Sequence, residues 1–278
     1  MKKKTFRRIM LILLAAGFLF CAAVAFSLQY KYLVGQRQYK NASRTYTTQQ
    51  DFRADRAEDA GGEGSSGSGT SSGTGRENAE VAPIIVDFEK LHEINPEVIG
   101  WLYCPDTKID FPICRAEDNK YYISHNYARE SSSFGSIFAD CLNRPDWSDS
   151  NYVLYGHHLT DGSMFATLDK WYLQEWFDEH PTMWILTPEQ DYRVELFSSY
   201  YISALDRAYT IFQGPSEEFN EYLQYVKSNS AVVRDDVELD GDAKYVMLST
   251  CAYVFALSRS VVHGKMIPID SAGGILIP

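Results

Sequence analysis

A cysteine and a histidine, each at the end of a predicted strand, are the residues of this chain best suited to covalent chemistry. One apolar run ends three residues before Cys251, and another ends two residues before His157. A thiolate can attack a carbonyl carbon, and an imidazole can move the protons that the attack and the later release require. The pair therefore points to acyl transfer through a thioester, the chemistry of cysteine-dependent enzymes.

The position of Cys251 alone does not decide between a nucleophile and a core residue. A lone cysteine at the end of an apolar strand is more often a small buried hydrophobe. Ser249 and Thr250, however, are small and polar where a core strand would carry bulk. This indicates an open strand end beside a groove, where a thiolate would need a cationic neighbour to form near neutral pH.

Arg259 and the paired histidines are the candidate partners of the thiol. A single arginine is usually solvated or salt-bridged, but beside Cys251 its fixed donors could orient a carbonyl or stabilise an oxyanion. His157 and His158 are adjacent, so one ring can point into a site while the other points elsewhere. The pattern alone leaves open which of them does so. His263 lies within a predicted strand and is expected to be hydrogen-bonded locally.

The N-terminus predicts an exported chain. Residues 1–8 carry five cations and no acid, and residues 9–28 form an uncharged apolar run of 20 residues. Such a run is long enough to span a bilayer, and the cationic flank predicts a cytoplasmic N-terminus. A cleaved signal peptide is the alternative, because residues 23–25 fit the small-x-small cleavage pattern. The apolar run continues past that site, which favours an uncleaved anchor.

Charge and cysteine spacing exclude several classes of function. The net charge is −11, and residues 1–8 contribute +5, so the remainder carries −16 and is unsuited to nucleic acid. The five cysteines show no spacing typical of a metal site, and no phosphate-binding or dinucleotide-binding loop is present. We therefore expect no structural metal site. The cysteines are Cys21, Cys104, Cys114, Cys141 and Cys251.

The composition divides the chain into four parts. Residues 1–8 form a cytoplasmic tail and residues 9–28 an anchor. Residues 29–80 are expected to be a stalk and flexible linker, because residues 60–75 are almost all Gly and Ser and residues 36–59 show no core face. Residues 81–278 form one extracellular domain, a comfortable size for a single core.

The hydropathy pattern of this domain predicts a fold that is mostly β with inserted helices. We expect a closed or nearly closed β barrel, with an N-terminal helix and a long helix before the cysteine strand. Pro112 should place its strand at an edge or bend. The predicted strands are 98–104, 109–114, 136–139, 151–157, 183–186, 192–202, 244–251 and 259–269. The predicted helices are 86–94, 163–177 and one that opens at Ser216.

Two motifs resemble those of a known family. The segment LSTC at 248–251, followed by Arg259 and VVHGK at 261–265, resembles the active-site strands of sortases. The segment YGHHLTDGSMF at 155–165 resembles the histidine region of class B sortases in particular. The resemblance extends over nearly all of residues 86–269 and includes the N-terminal anchor.

The resemblance implies a membrane-anchored cysteine transpeptidase of a Gram-positive cell wall. Cys251 corresponds to the family nucleophile, His157 to the catalytic histidine and Arg259 to the oxyanion-side arginine. The substrate would be an exported protein with a C-terminal sorting motif of the Asn-Pro-x-Thr type. Cleavage after Thr would give a thioacyl enzyme, and an amine of peptidoglycan would resolve it without a metal or organic cofactor.

The resemblance also implies a substrate groove. Ser249, Thr250 and Tyr155 are expected to line it, and Asn119 and Ile123 resemble a family Asn-x-x-x-Leu pair on the substrate-facing helix. Two positions depart from the family pattern: His158 stands where Asn is frequent, and Ala252 stands where many class B enzymes carry an acid.

Two other functions fit the sequence. One is a pilin-polymerising sortase, in which a Lys of another subunit is the acceptor. The other is a non-catalytic, tethered surface-binding module in which Cys251 is only a core residue.

Overall fold

The structure is built around a closed barrel of eight strands. The computed structural model describes residues 3–50 and 81–270. The order of strands around the barrel is β10-β8-β7-β3-β4-β5-β6-β9, and β9 closes it by pairing with β10. The strands are β1 Thr47–Gln49, β2 Ile84–Val86, β3 Val98–Tyr103, β4 Asp110–Cys114, β5 Ile137–Ala139, β6 Asn151–Tyr155, β7 Thr182–Leu186, β8 Asp191–Ser203, β9 Lys244–Cys251 and β10 Ser258–Ile269. The predicted barrel is confirmed.

Four α-helices accompany the barrel, and short 3₁₀ helices connect several of its strands. The α-helices are α1 Lys3–Tyr46, α2 Phe88–Ile94, α3 Gln174–Glu179 and α4 Glu217–Ser228. The 3₁₀ helices are Tyr121–Ile123, Phe165–Tyr172 and Arg207–Tyr209. Asp87 caps α2 by accepting a hydrogen bond from the Lys90 amide, and Ser216 caps α4 by accepting one from Phe219, as their sequences predict.

Strand β9 is buried on both of its faces. Leu248 belongs to the core cluster inside the barrel, and Met247 belongs to a second cluster on the outside. The second cluster contains Phe219, Leu223 and Val226, the apolar side of α4. Successive side chains of a strand alternate in direction. The continuous apolar run before Cys251 therefore provides apolar side chains both to the barrel core and to the cluster under α4. The strand that carries the thiol is therefore held firmly up to its end.

The long helix α1 combines an exposed apolar part with a part that packs on the barrel. Within Phe6–Tyr46, α1 has the length and composition of a membrane span, with a mean hydropathy of 2.8 and 0% burial in its most apolar window. Further along, Tyr39 and Ala42 are only 5% and 1% exposed. The tract at 36–59 was expected to lack a core face, and that expectation is wrong for its helical part. Strand β1, which follows α1, pairs with β2.

The helix predicted at 163–177 is divided in two. Phe165–Tyr172 is a 3₁₀ helix, and Leu173 is extended (φ −92°, ψ 122°) before α3 begins. Phe165, Leu168 and Trp171 are all fully buried. Their spacing of three residues matches the three residues per turn of a 3₁₀ helix, which places them above one another. The prediction of one continuous helix is therefore wrong at Leu173.

Strand β4 is not at an edge, which was one of the two alternatives expected from Pro112. It lies between β3 and β5, and Pro112 pairs with Trp101 of β3. The pairing with β5 includes only Ile113 and Cys114, which follow the proline. The missing amide hydrogen of Pro112 is thus tolerated inside a closed barrel.

The predicted linker at 60–75 lies outside the described residues.

His263 of β10 is a buried strand residue. It is 3% exposed, and its Nε2 has no hydrogen-bond partner among residues 3–50 and 81–270. The ring stacks on Tyr200, with centroids 5.5 Å apart. Burial lowers the pKa of His263 to about 3.

His263 should make the fold acid-sensitive. Its folded pKa lies below the unfolded value of 6.5, so below about pH 6.5 the unfolded chain binds a proton that the folded chain does not. For each unit that the pH falls below about 6.5, this group should lower the free energy of unfolding by about 1.4 kcal/mol. At higher pH it should have no effect on the free energy of unfolding. Denaturant unfolding of wild type and His263→Leu between pH 4 and 8 measures the difference. Equal pH slopes for the two proteins would contradict the assignment.

Candidate active site

The parallel pairing of β6 with β9 brings His157 and Cys251 to the same end of the barrel. Tyr155 is the register partner of Ser249. The contact continues past the strand end, because the Gly156 amide donates to the Ser249 carbonyl at 3.1 Å and Thr250 Oγ1 donates to the Gly156 carbonyl at 2.8 Å. His157 and Cys251 each lie two residues beyond the last register pair, so they stand at the same level.

The antiparallel pairing of β9 with β10 places Arg259 directly opposite Cys251. Ser258 closes the connection between them, since its hydroxyl donates to the Ala252 carbonyl at 2.7 Å. Side chains of directly opposed residues are close neighbours in an antiparallel pair. The guanidinium of Arg259 also donates from Nη1 to the Ser258 carbonyl at 3.0 Å. Cys251 is thus flanked by the strand that leads to the imidazole and by the strand that carries the guanidinium.

A groove of about 480 Å³ opens at this end of the barrel. All eight residues singled out from the sequence line it: Asn119, Ile123, Tyr155, His157, Ser249, Thr250, Cys251 and Arg259. Phe138, Gly156, Ala204 and Tyr209 complete the lining. The groove has apolar walls with a thiol, an imidazole and a guanidinium among them, which is an arrangement suited to holding a peptide for acyl transfer.

The two adjacent histidines point to different partners. His157 Nε2 donates a hydrogen bond to the Ile123 carbonyl at 2.7 Å. Because a carbonyl can only accept, Nε2 carries a proton and Nδ1 is the nitrogen left for proton transfer. His158 instead pairs through Nε2 with Asp169 Oδ2 at 2.8 Å and contacts the Tyr253 ring edge-on. His157 lines the groove, and His158 does not.

Asp140 organises one wall of the groove, and no feature of the sequence pointed to it. Its Oδ2 accepts hydrogen bonds from Tyr155 at 2.8 Å and from Asn119 Nδ2 at 2.9 Å. Asn119 Oδ1 accepts from the Cys141 amide, so both ends of the Asn119 amide group are bonded within the protein. Burial and the Asp140 carboxylate raise the pKa of Tyr155, which stays a neutral donor. Asn119 therefore shapes the wall, and Ile123, 45% exposed, offers an apolar surface.

Tyr209 is a second residue that the sequence did not reveal. It lies on the 3₁₀ helix Arg207–Tyr209, shares a 2.7 Å hydrogen bond with the Ser249 hydroxyl and stacks on Tyr155 at 6.2 Å. Burial raises the pKa of Tyr209, which keeps the phenol protonated. No motif surrounds Tyr209 in the sequence, because its position depends on how the connection between β8 and α4 folds back over β9.

The other cysteines differ from Cys251 in environment. All five are free thiols, and burial raises the pKa of Cys104 and of Cys114 to about 12. Cys251 is partly exposed and lies in the groove. Within residues 3–50 and 81–270, no group of three or more His, Cys, Asp or Glu side chains is placed to hold a metal ion.

The chain is similar to sortase B proteins in sequence and in structure. Sortase B of Listeria monocytogenes is 37% identical over 193 residues, which is 68% of this chain and 76% of the relative. The crystal structure of Clostridium perfringens sortase B matches with a TM-score of 0.62 at 32% identity, over 65% of this chain and 100% of that chain. The Staphylococcus aureus sortase B–substrate complex matches at 0.62 and 27% identity, over 66% and 85%. No family model matches the chain.

The chain belongs to the class B sortases. It is therefore a sortase-type cysteine transpeptidase, and the reading of the domain as a non-catalytic binding module is excluded. The sortase barrel explains why the thiol, the imidazole and the guanidinium of the groove lie at the ends of three neighbouring strands.

Replacing Asp140 should weaken peptide binding more than turnover. In Asp140→Asn one acceptor oxygen must serve the three donors that the carboxylate now serves, Tyr155, Asn119 and the Leu142 amide. Leaving a buried donor unpaired costs about 1–3 kcal/mol, so the wall should loosen and KM for a sorting peptide should rise. Steady-state kinetics measures this, with Asp242→Asn, an exposed acid, as the control. An unchanged KM in Asp140→Asn would refute the role of the wall.

Proposed function

We propose that Cys251, His157 and Arg259 perform the transpeptidation in two steps. The observation that supports this is the meeting of these three residues in one groove at the ends of β6, β9 and β10. In the first step the thiol proton of Cys251 passes to His157 Nδ1, and the thiolate Sγ attacks the carbonyl carbon of a Thr in the substrate. The resulting oxyanion is stabilised by donors of Arg259. His157 gives a proton to the leaving amine as the peptide bond breaks, and a thioacyl enzyme remains.

In the second step an amine takes the place of the leaving group. The amine attacks the thioester carbonyl, its proton passes to His157, and the thiolate of Cys251 departs. The product is a new amide between the substrate Thr and the acceptor. No group is oxidised or reduced in either step, so the residues of the groove are sufficient for the proton and electron-pair movements.

The substrate we propose is an exported protein with a C-terminal sorting motif of the Asn-Pro-x-Thr type. The class B membership of the chain supports it, and the similar S. aureus sortase B structure is a complex with substrate. The apolar wall formed by Ile123 and Phe138 suits the uncharged part of such a peptide. The acceptor we propose is an amine of peptidoglycan or its precursor.

We further propose that α1 anchors the enzyme in the cell membrane, with the N-terminus in the cytoplasm and the barrel outside. The apolar part of α1 is unburied and long enough to span a bilayer, and all five charged residues among residues 1–8 are cationic. This location places the groove where exported proteins and wall precursors meet. A signal sequence has the same length and composition, and N-terminal sequencing of the mature protein distinguishes the two.

The thioacyl intermediate provides the direct test of the nucleophile. Incubation with an Asn-Pro-x-Thr peptide should add the mass of the acyl fragment to the enzyme, on the tryptic fragment that contains Cys251. An added amine should release it as a ligated peptide. Cys251→Ala should show neither product, and Cys141→Ala, which changes another partly exposed thiol, should show both. Full activity of Cys251→Ala would overturn the mechanism.

If a pilin Lys were the better acceptor than a peptidoglycan amine, the proposed acceptor would be wrong.

The two histidines should differ in their effect on turnover. His157→Ala removes the proton-transfer group from the groove and should lower kcat by about 100-fold or more. His158→Asn changes a residue bonded to Asp169 outside the groove, so kcat should stay within a few-fold of wild type. Kinetics with one sorting peptide and one amine compares the variants. The reverse order of effects would assign the proton transfer to His158.

A further inference from the structure

The segment Phe134–Gly135 lies directly behind the His157 ring. Gly135 has a φ of 59°, and a Cβ placed on it would lie 2.8 Å from the Ile123 carbonyl oxygen and 2.9 Å from His157 Cδ2. The same carbonyl accepts the hydrogen bond from His157 Nε2. The backbone at Gly135 therefore contacts both the ring and the group that fixes the ring, and any shift of this backbone moves the imidazole.

Helix α1 presses on this segment from the other side. Gly35 of α1 is buried, and a Cβ on it would overlap the Phe134 ring. Phe134 is itself only 1% exposed. Tyr32, one turn earlier, packs edge-on against Phe134 with centroids 5.6 Å apart. The close approach of α1 thus requires a glycine at position 35.

Two hydrogen bonds join the same stretch of α1 to the surroundings of the groove. The hydroxyl of Tyr39 donates to the Gly135 carbonyl, in a buried environment. Gln36 Nε2 donates to Asp161 Oδ2 at 2.7 Å, in the loop that follows His157 and His158. The helix therefore contacts the chain on both sides of the His157 ring, at Gly135 behind it and at Asp161 beyond it.

We propose that the part of α1 outside the apolar span, residues 32–39, is a positioning element for His157. This inference rests on the proposed role of His157 as the proton-transfer group. Gly35 and Tyr39 act through Phe134 and Gly135 and touch neither the substrate nor the thiol. Helix α1 then contributes to catalysis as well as to anchoring, because it holds the imidazole in the orientation in which Nδ1 can transfer protons in the groove.

The first test moves the helix away from Phe134. In the full-length protein, Gly35→Ala should lower kcat for a sorting peptide by about 10- to 100-fold, because a misplacement of the order of 1 Å at a catalytic group has such an effect. KM should change by less than about threefold, since the wall held by Asp140 is untouched. Gly17→Ala is the matched control: it makes the same substitution on the same helix, with nothing within 4 Å of the new Cβ.

The second test removes the Tyr39 hydroxyl, which bonds to the Gly135 carbonyl and to Ser136 Oγ, and keeps the packing. Tyr39→Phe should lower kcat by about fivefold, because the neutral hydrogen bond to the Gly135 carbonyl is lost. Tyr30→Phe on the same helix, where the side chain is 58% exposed, should leave kcat unchanged. A spectroscopic readout separates positioning from stability. The Nε2–H signal of His157 in the ¹⁵N-histidine NMR spectrum, assigned by its absence in His157→Gln, should broaden in Gly35→Ala and Tyr39→Phe and persist in both controls.

The outcomes distinguish this inference from the function on which it rests. If His157→Ala is inactive while Gly35→Ala and Tyr39→Phe keep wild-type kcat and the sharp Nε2–H signal, the positioning role of α1 is refuted and the proposed mechanism stands. If His157→Ala is fully active, the proposed proton-transfer group is wrong. A loss of kcat in Gly35→Ala with an unchanged Nε2–H signal would also overturn the inference, because the helix would then act by another route.

Discussion

The parallel pairing of β6 with β9 is the constraint on which the rest of the site depends. In a mostly antiparallel barrel, neighbouring strands usually run in opposite directions, so their C-terminal ends lie at opposite ends of the barrel. Here β6 and β9 run in the same direction; β6 leads to His157, and β9 ends at Cys251. The imidazole and the thiol therefore meet at one edge. The antiparallel return of β10 then brings Arg259 back to the same edge.

Packing and hydrogen bonds restrict the movement of the strands that carry the site. Strand β9 is buried by the barrel core on one face and by α4 on the other, so the backbone that carries Cys251 has little freedom to shift. On the opposite side of the groove, the carboxylate of Asp140 binds two wall residues through one oxygen. The catalytic end of the barrel is thus fixed by apolar packing below the thiol and by hydrogen bonds around the groove. Groups fixed in advance pay little entropy when a peptide enters.

The sequence was sufficient for the barrel and for the residues at strand ends, because both leave a local signal. Alternation and apolar runs located β9 and β10, and the resemblance to sortases directed attention to the groove. Asp140 and Tyr209 left no such signal, since their roles arise from contacts between segments far apart in the chain. The same reason explains the error over residues 36–59. Tyr39 and Ala42 are two buried positions in a polar stretch, and they are buried because α1 packs on the barrel.

The two departures from the family pattern fit this site once its contacts are known. His158 turns away from the groove to Asp169, so the second imidazole has a partner of its own and does not compete for the thiol. Ala252, 7% exposed, is enclosed by the Ser258 turn that aligns Arg259 with Cys251. A carboxylate there would need space and a cationic partner, and the nearest cation on the neighbouring strand is Arg259 itself. Such a pair would draw the guanidinium away from a developing oxyanion. A small apolar residue after the cysteine therefore leaves Arg259 free for the oxyanion role proposed above.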